Sequence, residues 1–228
     1  MFYLTNRDYA TLILDIGTLF IIFGIIALSF RNRKKDRLDE DCFLVLLILN
    51  IVIAIGDILG YLCGEGKTFP HSRELSTLGM TLFYVGFVLI AMSWMHYCRV
   101  RFRGADLTDR SHFAYEYIPG MVMVAVVIIN VFTGWVFSYD ENKIYQRGFM
   151  FIPLYIVVAA YILAGFVCLS KYRDKSSGKA LIPVWVYSMP IILGTVLTFL
   201  VQGSASFAAI GVAMSFMFTH MGTINDEA

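Results

Sequence analysis

Seven apolar stretches recur along the chain, at about 9–30, 42–63, 75–98, 117–138, 149–170, 181–201 and 203–220. Roughly 20 helical residues cross about 30 Å of hydrocarbon, and a helix satisfies its own backbone hydrogen bonds where water cannot. The pattern predicts an all-α polytopic membrane protein, a seven-helix bundle forming a single domain over 1–228. One boundary stays open. Gly203 and Ser204 form a tight turn between two spans, or 181–220 is one long span with a re-entrant piece.

The polar stretches between the spans orient the bundle. Arg31, Arg33, Lys34, Lys35 and Arg37 fill the first loop. Arg99, Arg101, Arg103 and Arg110 fill the third, and Lys171, Arg173, Lys175 and Lys179 the fifth. The N-terminus and the even loops hold only Arg7, Lys67, Arg73, Lys143 and Arg147. Excess Lys and Arg in short loops marks the cytoplasmic side, so the N-terminus is expected outside and the C-terminus inside. The basic cluster follows the long apolar stretch 9–30 rather than preceding it, unlike a cleaved signal peptide.

Composition agrees with a membrane setting. A soluble domain is about 45–50% apolar and about 25% charged; this chain of 228 residues is 58% hydrophobic and 15% charged. The partner this implies is the lipid bilayer, and a net charge of +1 gives no reason to expect nucleic acid. Cys42, Cys98 and Cys168 fall at cytoplasmic helix ends and only Cys63 near the outer face. Neither a structural disulfide nor a metal site is expected. The residues show no soluble domain and no clear internal duplication.

The chemistry must then lie in the polar groups inside the spans, which are costly there and usually face the bundle interior. Asp15 and Asp57 fall at similar depth in the outer part of the membrane. Helical spacing extends them into stripes: Thr11, Asp15 and Thr18; Asn50, Asp57 and Tyr61; Thr77, Thr81 and Tyr84; Thr195, Thr198 and Gln202. Tyr145 and Arg147 precede the fifth helix at the same surface, Tyr155 lies below them, and Trp135 ends the fourth helix. Two readings are open. In one, the stripes converge on an outward-facing pocket for a small polar or cationic ligand, with Arg147 or Arg73 partly neutralising the aspartates. In the other, Asp15 and Asp57 make interhelical hydrogen bonds, where burial would favour the protonated carboxyl.

Other features read as architecture. Gly56, Gly60 and Gly64 form a small-residue ladder that serves helix packing or a dimer face. Pro190 should kink the sixth helix as a static bend or a hinge, while Pro153 and Pro183 fall in tolerant first turns. Trp94, Tyr97, Tyr115, Tyr117, Tyr172 and Trp185 form an inner aromatic belt, and Tyr9, Tyr61, Trp135, Tyr139 and Tyr145 an outer one. Asn130 reads as an isolated polar group in the middle of the fourth helix.

Several chemistries lack their residues. The last span, GSASFAAIGVAMSFMFTH, has no lysine for a retinal Schiff base, and no HExxH or GxSxG occurs. His96 and His220 can meet only as a surface pair, and the outer ends carry no cysteine pair of the heptahelical-receptor kind. No catalytic residue, metal or cofactor is expected.

The stretches RNRKKDRLDEDCFLVLLILNIVIAIGDILGYL and NKIYQRGFMFIPLYIVVAAY resemble the seven-helix input regions of bacterial signalling proteins. Such regions precede a GGDEF diguanylate cyclase domain or a histidine kinase domain. The pattern falls on Arg37, Asn50 and Asp57, and on Tyr145, Arg147 and Gly148. The resemblance implies a sensor in the bacterial cytoplasmic membrane, a small extracytoplasmic ligand, a homodimer, and a seventh helix that passes a conformational change to a cytoplasmic output domain. No such domain is in the chain, which ends FMFTHMGTINDEA, so it is expected to be the sensor part of a longer protein. The ligand-binding residues expected are Asp15, Asp57, Tyr61, Tyr84, Trp135, Tyr145, Arg147, Tyr155 and Gln202. A small-molecule transporter or channel is the alternative, and a structural membrane subunit the third reading.

Overall fold

The computed structural model describes residues 6–32, 38–63, 71–103, 110–141 and 144–172, with isolated positions at 193, 194, 196 and 211. The expected sixth and seventh helices, with Pro190, Thr195, Thr198, Gln202 and His220, lie outside the described residues. Among the described residues the elements are five helices and one hairpin: α1 (Asn6–Asn32), α2 (Leu38–Cys63), α3 (Ser72–Arg103), α4 (Arg110–Thr133), β1 (Phe137–Tyr139), β2 (Tyr145–Arg147) and α5 (Phe151–Tyr172).

Four of these helices are long and apolar enough to cross a membrane, over Glu40–Gly60, Ser72–Val100, Tyr115–Thr133 and Phe151–Cys168. In α1 the apolar part is shorter, Leu12–Ala27. Their outward faces carry Phe20, Phe23, Phe132, Ile156 and Val167. Apolar side chains turned away from the protein in this way suit hydrocarbon rather than water.

The bundle is organised around α3, which packs against α2, α4 and α5, while α1 packs on α2. Contacts pair Gly56 with Gly79 and Ile53 with Gly86, and Phe43 with Tyr97, so α2 and α3 run antiparallel. Phe87 meets Tyr155 and Trp94 meets Phe166, so α3 and α5 run parallel. A Cβ on Gly56 would lie 2.7 Å from both the Gly79 carbonyl and the Phe83 amide. These glycines therefore let two backbones touch. The ladder serves packing at Gly56 and Gly60; Gly64 lies outside the described residues.

The central place of α3 corrects the aromatic-belt reading. Trp94 and Tyr97 are buried against Phe166 and Phe43 rather than turned to an interface. A helix surrounded by three others presents its aromatics to protein at any depth.

The fourth helix stops at Thr133 rather than continuing to 138. Gly134 takes a left-handed φ of +67°, the usual way to end a helix, and its N–H donates to the Asn130 carbonyl at 2.9 Å. Trp135 thus follows the helix instead of ending it. The chain then forms an antiparallel hairpin with Phe137 opposite Arg147 and Tyr139 opposite Tyr145. This hairpin marks one end of the bundle; the other is called the far end below.

Candidate functional site

The hairpin is fixed by three residues. Asn130, 2% exposed in the last turn of α4, accepts from the Val136 and Phe137 N–H groups at 2.6 and 3.2 Å. Its amide donates to the Phe137 carbonyl at 3.0 Å. It is therefore the anchor of the hairpin and not an isolated group in mid-helix. Gly148 donates to the Val136 carbonyl at 2.8 Å, and a Cβ there would overlap the Trp135 carbonyl. Asp140 closes the turn by accepting the Ile144 N–H at 2.8 Å on Oδ1.

Strand alternation does the rest. Ser138 and Gln146 are exposed, while Phe137 and Tyr139 turn inward with Tyr145 and Arg147 beside them. The Tyr145 hydroxyl meets that of Tyr84 at 2.6 Å. The Ser76 hydroxyl lies 2.6 Å from that of Tyr139 and 3.1 Å from the Gly60 carbonyl. A carbonyl only accepts, so Ser76 donates to Gly60 and the Tyr139 phenol supplies its own proton to Ser76. Arg73 donates to the Tyr139 carbonyl at 3.1 Å. The hairpin is thereby tied to α3, and through Ser76 to α2.

Aromatic rings fill the space beneath. Tyr84 packs on Phe137 at 5.5 Å and on Phe151 at 6.3 Å. Tyr155 packs on Phe151 at 4.7 Å and on Phe87 at 5.4 Å. The Arg147 guanidinium sits over the Phe151 ring, 4.4 Å from its centroid, in cation–π geometry. Asp57 is fully buried on α2 one turn before Gly60, whose carbonyl accepts from Ser76. Burial pushes the Tyr145 phenol up to about 12, against the opposing pull of the Tyr84 hydrogen bond and the Arg147 charge. Burial raises Tyr139 as well, outweighing the opposing pull of its hydrogen bond with Ser76. Both phenols therefore stay protonated near neutrality and can donate as well as accept.

Of the residues expected at the site, Asp57, Tyr84, Tyr145, Arg147 and Tyr155 come together here. Asp15 and Thr18 are fully buried on α1, in line with Ile22 and Ile25. The α1 stripe thus faces protein, but on the helix that packs on α2. Thr77 and Thr81 donate to the carbonyls of Arg73 and Thr77 in their own helix, at 2.8 and 2.7 Å, which leaves their hydroxyls engaged locally. Trp135 is 41% exposed and packs on Phe149, away from the cluster. The Tyr61 side chain and Gln202 lie outside the described residues.

Sequence reasoning missed Ser76, Phe137, Phe151 and Asn130. The signal for Asn130 is local: an asparagine four residues before a glycine, followed by Phe-Ser-Tyr and Tyr-Gln-Arg alternation around a polar turn. Among the described residues no three His, Cys, Asp or Glu gather in a group that could hold a metal ion.

No protein-family model matches the chain, and no curated protein matches it. The reading of the cluster rests on its own chemistry. Neutral phenols, a serine hydroxyl, a buried carboxyl group and a guanidinium, framed by rings, are groups that orient a ligand by hydrogen bonds and charge.

Proposed function

We propose that this chain is the sensory input region of a bacterial membrane signalling protein. In this reading it is a seven-helix bundle with its N-terminus outside the cytoplasmic membrane, and the hairpin end faces outward. A small polar or cationic molecule binds there and biases the packing of the helices. A cytoplasmic output domain of diguanylate cyclase or kinase type, in a homodimer, reads the change. A ligand shifts such an equilibrium only by its difference in affinity for the two states.

The observation that carries the reading is the meeting of Asp57, Tyr84, Tyr145, Arg147 and Tyr155 at one end of the bundle, under a hairpin that holds Tyr145 and Arg147 in place. A thermal-shift screen of small polar and cationic compounds in nanodiscs tests it. Compounds that stabilise the wild type are expected to lose at least about tenfold in affinity in Asp57→Asn and in Tyr84→Phe, a loss of about 1.4 kcal/mol. Equal affinity in both variants would reject the site.

One observation favours a transporter as the second reading. The far end carries its own polar group, Arg99 with Glu116 and His96 with Tyr117, so polar side chains are not confined to the hairpin end. Saturable flux in proteoliposomes would select that reading.

A further inference from the structure

Near its far end α4 carries a proline. Pro119 lies inside the helix, where it cannot donate a backbone hydrogen bond and its ring crowds the preceding turn. Next to it, the Gly120 N–H donates to the Tyr161 hydroxyl at 3.0 Å. That hydroxyl donates to the Glu116 carbonyl at 2.6 Å. A side chain from α5 thus bridges the two backbone groups that a regular helical turn pairs directly. Insertion of this kind beside a proline is a recognised origin of helix kinks. Gly120 also sits so close to Met92 of α3 that a Cβ there would overlap its sulfur.

The two sides of Pro119 are held differently. Beyond it, towards the hairpin, α4 is fixed by Asn130 and its three hydrogen bonds. Before it, α4 is held to α3 by the Arg99–Glu116 ion pair and by His96 Nδ1 with the Tyr117 hydroxyl, 2.9 Å apart. Glu116 is 44% exposed and Arg99 17%, so this pair is a weak, screened contact.

We propose that residues 110–118 form an arm jointed at Pro119–Gly120, latched to α3 by Arg99–Glu116 beside the His96–Tyr117 hydrogen bond, and loosened when the ion pair opens. Tyr161 holds the joint by bonding both the Gly120 N–H and the Glu116 carbonyl. The arm moves while 120–133 stays with the hairpin. The proposal goes beyond the ligand reading and does not depend on it.

Spin-label distance measurements on the whole chain in nanodiscs test it. Labels carried on a ketone-bearing unnatural amino acid leave the four native cysteines in place. One pair, at Tyr115 and Val45, reads the far end. Another, at Val131 and Ile55, reads the hairpin end; all four positions are exposed. Glu116→Gln is expected to shift and broaden the far-end distribution by several ångströms and to leave the hairpin-end distribution unchanged. Adding Pro119→Ala, which restores an N–H donor to the Tyr115 carbonyl and removes the crowding ring, should narrow the far-end distribution again. Should Glu116→Gln give no folded protein, Arg99→Gln opens the same latch from α3 and decides. An unchanged far-end distribution, a shift of both ends together, or no rescue by Pro119→Ala would overturn the joint.

Discussion

The two ends of α4 secure the same helix by opposite means. At the hairpin end Asn130 makes three buried hydrogen bonds to backbone, and the rings of Phe137, Tyr84 and Phe151 close over one another. At the far end a proline lies inside the helix, the Tyr161 hydroxyl links the Gly120 N–H to the Glu116 carbonyl, and a partly exposed ion pair with the His96–Tyr117 hydrogen bond holds the first turns. Buried neutral hydrogen bonds are expensive to break because their groups find no substitute partner. Exposed ion pairs are nearly isoenergetic with their hydrated, separated ions. One end is thus built to keep its geometry and the other to exchange it.

Substitutions at the two ends should differ accordingly. Gly148→Ala is expected to have the largest effect, a loss of about 3 kcal/mol, because its Cβ overlaps the Trp135 carbonyl and backbone must move. The check is the midpoint of chemical unfolding in mixed micelles. Asn130→Ala should follow at about 2 kcal/mol, since the Val136 and Phe137 amides lose their buried acceptor. Tyr145→Phe removes only the hydroxyl shared with Tyr84 and should cost about 1 kcal/mol. Glu116→Gln should cost least, about 0.5 kcal/mol, and its effect alone among the four should shrink as salt is raised. A far-end variant as costly as Asn130→Ala would erase the contrast.

Alkaline titration sharpens the same point. The Tyr145 phenol, held at about 12 by burial, lies above the ordinary value of about 10. The native state then binds that proton more tightly than the unfolded chain. Its contribution to stability is complete below pH about 10 and is lost as pH rises towards about 12. Phenolate absorbance lost from the titration on Tyr145→Phe should have its midpoint near the upper figure. A midpoint near 10 would mean that the hairpin does not bury the ring.

Four of the expected spans, those on α2, α3, α4 and α5, were legible because apolar runs of membrane length have few other uses. Asp15 and Asp57 were legible as interior groups for the same reason, and both are fully buried. The closure of the site was not. Strands of three residues carry too little alternation to stand out beside helices of more than twenty. Asn130 looks like a mid-span polar residue only when the helix is carried to 138; ended at Gly134, the helix turns the same side chain into an anchor. Ser76 and Phe137 acquire their roles from Tyr139 and Tyr84, which lie far from them in the chain. Pro119 carried a visible signal, but its consequence depends on Tyr161, which no local pattern links to it.

Amide hydrogen exchange of the whole chain in nanodiscs tests most directly the claim that one end is fixed and the other is releasable. The amides of Val136, Phe137, Gly148 and Met150, all hydrogen-bonded in the hairpin, should exchange only through large-scale opening. Those of 110–118 and Gly120 should exchange at least about tenfold faster, through local release of the arm. Equal protection at both ends, or faster exchange in the hairpin than in the arm, would contradict the account.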